Sequence, residues 1–268
     1  MKLIVIPPYR GMNWSPAEGH YMLRPLVDNM QKRGQLEGVE IIIDEGHPLE
    51  QSTESRDEAV YADITAGFLN RIKMYGDGDR FDAIVSSGGS DLGFYGARLS
   101  SKIPVSYSIH AAVHVASLIG DRFSILSSAY PSALNARRSA ENYGLGKKIA
   151  SSRHLSYSTT NIAGVVRKKI EGQMSAPEVS KFIDDVTAQC IMAIEEDRAD
   201  CILFLNPGLQ CFEDEVRQRL NESGYSEIQI ICALSAAVEM AKAMVNMKLT
   251  QSPIAYPGPS LKAVPKLA

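Results

Sequence analysis

The chain has 268 residues, of which 45% are hydrophobic and 22% charged, with a formal net charge of -3. That is the composition of a water-soluble globular protein with one large domain or two small ones, and the mild charge excludes nucleic acid or an anionic membrane as an obvious partner. Four cysteines, Cys190, Cys201, Cys211 and Cys232, form no CxxC pair, which argues against a disulfide framework or a structural zinc site and for a reducing, cytoplasmic setting.

In chain order, "KLIVI" (2–6) is an apolar run too short for a signal peptide or a membrane span, and it reads as a first buried strand. Further strands are expected at 39–44, 81–87, 103–108, 122–128, 199–205 and 228–233, each a short apolar run bounded by loop residues. Helical patterns fall between them at 17–34, 53–74, 92–100, 110–119, 131–143, 175–197, 209–223 and 235–247. Such alternation predicts an α/β fold with parallel sheets and helices on both faces. The tail 248–268 carries four prolines in its last nineteen residues, and it is expected as an extended arm, free or packed on a neighbouring subunit.

A weak internal repeat divides the pattern. "RFDAIVSSGGSDLG" (80–93) resembles "RADCILFLNPGLQC" (198–211), and "IHAAVHVASLIG" (109–120) resembles "LSAAVEMAKAMV" (234–245). Two pseudo-symmetric half-domains follow: 1–115 with 232–247, and 116–231. Each places a glycine-containing loop at the carboxyl end of a strand, where open α/β sheets bind ligands, so the site is expected between the halves.

Four loops supply candidates. Ser87, Gly88, Gly89 and Ser90 lead into Asp91 and a helix start; oriented amides and hydroxyls there suit a carboxylate, an enolate or an oxyanion. The same residues also serve as a plain helix cap. Asn206, Pro207 and Gly208 form the matching loop. Ser127, Ser128 and Tyr130 follow the fifth strand. Tyr9 and Arg10 follow the first, and Arg10 is a candidate carboxylate grip or a surface arginine. His110, at a helix start, is a candidate general acid or base, its basic form favoured by the helix dipole, or a capping imidazole. With His114 it makes H-x-x-x-H, but no third ligand stands nearby, so no metal and no cofactor are expected.

The blocks "DAIVSSGGSDLGFYGAR", "IPVSYSIHAAVHVASLIGDRFSILSS" and "ADCILFLNPGL" resemble, in order and spacing, the aspartate/glutamate/hydantoin racemase superfamily, which includes hydantoin racemases, arylmalonate decarboxylases and maleate isomerases. The resemblance runs from Lys2 to Val245. Racemases of that superfamily use two cysteines on opposite faces of the substrate's α-carbon. The resemblance places Gly88 at the first and Asn206 at the second, with Asp91, Gly93 and Gly208 retained. Neither a glycine nor an amide moves protons as a thiolate does. The expectation is therefore an enzyme for a small carboxylate, cyclic amide or ureide, using thiol-independent isomerase or lyase chemistry through an enolate-like intermediate. Here His110, Asp91 and Asn206 are its catalytic candidates. Hydrolysis of an amide or imide ring by an activated water, or non-catalytic binding of a small molecule, are the alternatives. Apart from a small-molecule substrate, the only partner expected is a second copy of the chain.

Overall fold

The structure is a computed structural model that describes residues 1–11, 22–49 and 58–257. Two four-stranded sheets are present, every pairing parallel. The first holds β1 (Lys2–Ile6), β2 (Glu40–Ile43), β3 (Ala83–Ser86) and β4 (Val105–Tyr107), in the order β2-β1-β3-β4. The second holds β5 (Phe123–Ser127), β6 (Ile149–His154), β7 (Cys201–Phe204) and β8 (Gln229–Cys232), in the order β6-β5-β7-β8. The two orders are the same once the numbering is shifted by four, so the sequence repeat has a structural counterpart. β3, β5 and β7 are buried along their whole lengths, as expected of strands covered on both faces.

The helices are α1 (Leu23–Lys32), α2 (Glu58–Tyr75), α3 (Phe94–Ser100), α4 (Ser108–Ile119), α5 (Tyr130–Asn142), α6 (Thr159–Ile170), α7 (Pro177–Glu195), α8 (Pro207–Gln210), α9 (Glu213–Glu222) and α10 (Ala233–Asn246). The first parts of the helices expected at 17–34 and 53–74 lie outside the described residues. β6 and α6 were not expected from sequence, and the single helix expected at 209–223 is broken into α8 and α9.

The repeat explains how each sheet starts. Asp82 Oδ2 accepts from the amide of Lys2 at 2.6 Å, and Asp200 Oδ2 accepts from the amides of Asp121 and Arg122 at 2.7 and 2.9 Å. The aspartate of each Arg-x-Asp thus satisfies orphan donors at the start of the neighbouring strand. It works at the sheet edge opposite the glycine loops.

The halves are joined by the helices that follow β4 and β8. α4 leans on β5, β7 and β8 of the second sheet, while α10 lies under β3 and β4 of the first, and the two helices pack on each other. Their alanines, Ala111, Ala112, Ala116, Ala233, Ala237 and Ala241, are almost completely buried, and one core runs through both halves. Small side chains let the helices approach closely. The chain after α10 returns to the first half. Gln251 is buried beside the edge strand β4, and the Tyr256 hydroxyl accepts from Arg98 at 2.9 Å. The described part of the tail therefore packs on its own chain; 258–268 lie outside the described residues.

Candidate active site between the two sheets

In each sheet the order reverses about its two central strands, β1 and β3 in one and β5 and β7 in the other. That reversal leaves a crevice at the carboxyl ends of the strands. The loops after these four strands line one cavity of about 120 Å³. Tyr9 comes from the loop after β1, and Ser87, Gly88, Gly89 and Ser90 come from the loop after β3. Ser128 follows β5, and Asn206, Pro207 and Gly208 follow β7. Apolar walls are added by Pro7, Pro8, Met22, Leu23, Ile64, Leu92 and Ile162, and further hydroxyls by Tyr61 and Ser132. An apolar pocket with a few convergent polar groups is the usual form of a small-molecule site.

The polar groups point one way. Asn206 Oδ1 accepts from Ser127 Oγ at 2.8 Å and from the Ser128 amide at 2.7 Å. With its oxygen so occupied, the carboxamide turns its NH2 towards Gly89, where an added Cβ would sit 3.1 Å from Nδ2. Ser87 Oγ is buried and, among the described residues, has no hydrogen-bond partner. A buried hydroxyl without a partner costs about 1–3 kcal/mol, and this one lines the cavity. A ligand acceptor there would remove that cost. Gly88 leaves little space for a side chain, because a Cβ would meet Pro8 Cγ at 3.1 Å.

Among the described residues, the lining contains no carboxylate, imidazole, amine or thiol. Asp91 lies just behind the loop. Its carboxylate accepts from the amides of Ile109 and His110 at 3.1 and 2.9 Å and from the Tyr143 hydroxyl at 2.7 Å. It caps α4 from the loop after β3, and burial pushes it up to about 6 against those three bonds. Gln210 plays the matching part in the other half, its Oε1 accepting from the Leu234 amide at 3.0 Å at the start of α10.

His110 faces away from the cavity as well. Its ring packs on Phe94, His114 and Tyr143. Burial, with the charges of His114 and Arg98, lowers it to about 3. The imidazole is therefore neutral at physiological pH. His114 Nδ1 lies 2.7 Å from the His110 carbonyl oxygen, an ordinary turn-to-turn bond.

Arg10 and Tyr130 are placed elsewhere. Arg10 donates to Glu45 Oε2 at 3.1 Å, within a network in which Arg71 bonds Asp44 and Glu45. Tyr130 is exposed, its ring edge-on to His154. Ser127 is fully buried and meets the cavity only through Asn206. Tyr9, Ser87, Gly88, Gly89, Ser90, Ser128, Asn206, Pro207 and Gly208 are brought together. His110, Asp91, Arg10 and Tyr130 are not part of that lining.

The thiols stand apart from the cavity. Cys232 is buried with Sγ 3.4 Å from Glu213 Oε2, a carboxylate that also binds Arg33 and Arg217 at 2.9 Å each. Burial and that carboxylate push the thiol well above its usual range. Cys211 donates weakly to the Met22 carbonyl at 3.5 Å. Tyr61, Ile64, Ser132 and Ile162 were missed by sequence reading. They sit on helices, and only the spacing of Tyr61 and Ile64, one helical turn apart, hints at a shared face.

The fold and site define a class: a two-sheet parallel α/β protein whose strand-end loops enclose a small-molecule cavity between pseudo-symmetric halves. Residues 10–241 match the Asp/Glu/Hydantoin racemase family, and the chain belongs to it. Among solved structures, it resembles the allantoin racemase of Klebsiella pneumoniae with a TM-score of 0.73 at 21% identity, over 100% of this chain and 97% of that one. It resembles the allantoin racemase of Pseudomonas fluorescens equally well, at 0.73 and 19%, over 99% and 100%. An aspartate racemase homologue from Pyrococcus horikoshii scores 0.58 at 11% identity, over 91% and 99%. These likenesses are of fold. No curated protein matches the sequence.

Proposed function

We propose that the protein is an enzyme that takes a small carboxylate, cyclic amide or ureide into the cavity and stabilises an enolate-like form of it, in an isomerase or lyase reaction without a thiol. The observation that supports this most is the pair of facing loops. Ser87 Oγ in one and Asn206 Nδ2 in the other both offer a hydrogen to the same small space. When a proton or a carboxylate leaves the carbon next to a carbonyl, charge moves onto the carbonyl oxygen. Fixed donors aimed at that oxygen are worth about 10²–10³ in rate each. By the resemblance, Asn206 takes the place of the family's second cysteine, and its oxygen is already occupied by two donors. Its contribution is therefore a donor and not a base.

Membership of the Asp/Glu/hydantoin racemase family is compatible with this chemistry. His110 and Asp91 lie behind the site, so the proton that leaves the carbon passes to water or to a hydroxyl that faces the cavity, and a proton returns from the same groups. Incubation with 5-substituted hydantoins, amino acids and arylmalonates in D₂O tests the proposal. Deuterium at the α-carbon, in recovered substrate or decarboxylated product, is the expected result. Incorporation of ¹⁸O from water would show hydrolysis instead. Saturable binding with neither exchange nor turnover would mark a binding protein.

A further inference from the structure

Tyr61 is a polar side chain of the cavity that belongs to neither glycine loop. Tyr61 lies on α2 of the first half, and its hydroxyl oxygen accepts from Asn135 Nδ2, on α5 of the second half, at 3.0 Å. The bond spans the two halves. Because the phenol oxygen already receives a hydrogen from Asn135, its own hydrogen is left to donate elsewhere. Among the described residues, no acceptor takes it. Tyr61 is thus in the same condition as Asn206. A neighbour occupies its acceptor side, and its donor is left for whatever enters the cavity.

We propose that Tyr61 is a catalytic residue that donates a hydrogen bond to the negative charge formed on the substrate, and that Asn135 is the residue that points it there. This rests on the enolate reading above and extends it. The site then has three donors from three directions: Ser87 from the first sheet, Asn206 from the second, and Tyr61 from the bridge between them. An arrangement of donors alone favours an anion over its neutral counterpart, because only the anion offers acceptors to all of them at full strength. A phenol is well suited to this place, since it couples a large apolar body to one polar tip.

The test compares two cyclic ureides of similar size. Barbiturate is an enolate-form anion near neutral pH, and hydantoin is neutral there. Calorimetric titration of the full chain at pH 7 is expected to show barbiturate binding more tightly than hydantoin. Tyr61→Phe keeps the ring and removes the donor, and it should weaken barbiturate about tenfold while changing hydantoin far less. Asn135→Asp should reproduce that selective loss, because a carboxylate there accepts the Tyr61 hydrogen and turns it from the cavity. A merely structural role would weaken both ligands alike. Ser87→Ala reports separately on the loop site. If it lowers the preference for barbiturate while Tyr61→Phe and Asn135→Asp do not, the loop reading stands and the role of Tyr61 is overturned. If the wild type prefers neither ligand and Ser87→Ala changes nothing, both fall together.

Discussion

Ser127 Oγ donates to Asn206 Oδ1 at 2.8 Å, and this bond fixes which end of the carboxamide faces the cavity. Ser127 is completely buried and touches no ligand space itself. It acts through Asn206, from the strand that pairs with the one carrying the asparagine loop.

Replacing the amide tests the polarity of the site. In Asn206→Asp, Ser127 and the Ser128 amide would still satisfy one oxygen. The other would face Gly89 as an anion in place of a donor. Binding of barbiturate is expected to fall about a hundredfold, against a few-fold for hydantoin, since a buried like charge costs far more than a lost neutral bond. Equal losses for the two ligands in titration would contradict the assigned orientation. Ser127→Ala should give a smaller loss, about three- to tenfold.

Asp91 and His110 give opposite pH dependences of stability. Asp91 is held at about 6, above its ordinary 3.8, mainly by burial. Between those values the folded chain keeps a proton that the unfolded chain has lost, so this group's contribution declines as pH rises through that window. His110 is held at about 3, below its ordinary 6.5, again mainly by burial. The unfolded chain binds the proton first, so this contribution is complete above 6.5 and is lost as pH falls towards 3. The two slopes partly cancel. Urea melts between pH 3 and 7 should show stability falling with pH in His110→Gln and rising with pH in Asp91→Asn. Identical profiles for the two variants would show that the shifts are not as assigned.

The thiols should be dispensable. Burial raises all four, Cys201 and Cys211 to about 12 and the others in the same direction. A thiol so raised is a poor nucleophile at neutral pH. Iodoacetamide at pH 7.5 is expected to label the native chain slowly, and alanine at each position in turn should leave barbiturate binding within about threefold. Rapid labelling of one cysteine that blocks binding would instead identify a reactive thiol.

Gly208 is a packing requirement of the second loop. A Cβ there would lie 2.1 Å from Ile162 Cγ2. Gly208→Ala should cost about 1–3 kcal/mol in thermal or urea unfolding, because the buried isoleucine must shift. Combining it with Ile162→Ala should cost less than the sum of the two single changes, since the second removes the atom that the first strikes. Strict additivity would show that the loop moves in place of the side chain.

Most of the frame could be read from the chain because its strands are short apolar runs and its two halves repeat. β6 could not, since "IASSRH" is an edge strand, half-buried at every residue, with no apolar run to mark it. α6 opens with a cap in which Ser158 and Asn161 bond each other's backbone amides. Asparagine in place of the usual acid at the third position hid that start. The break between α8 and α9 had no sequence signal either.

The glycine loops, the repeated Arg-x-Asp before two of the strands and the lack of a cysteine at 86–91 and 205–209 follow from the residues themselves. Local pattern decides strand, turn and side-chain chemistry. What only the tertiary structure decided is direction. Asp91 caps a helix from the loop after the neighbouring strand, and His110 is turned into an aromatic cluster. Asn206 has its oxygen taken by Ser127, and Tyr61 has its oxygen taken by Asn135. The partners in these bonds lie 19 to 79 residues apart in the chain. A hydrogen bond orients a side chain only when packing has brought its partner within about 3 Å, and no spacing along the sequence encodes that distance.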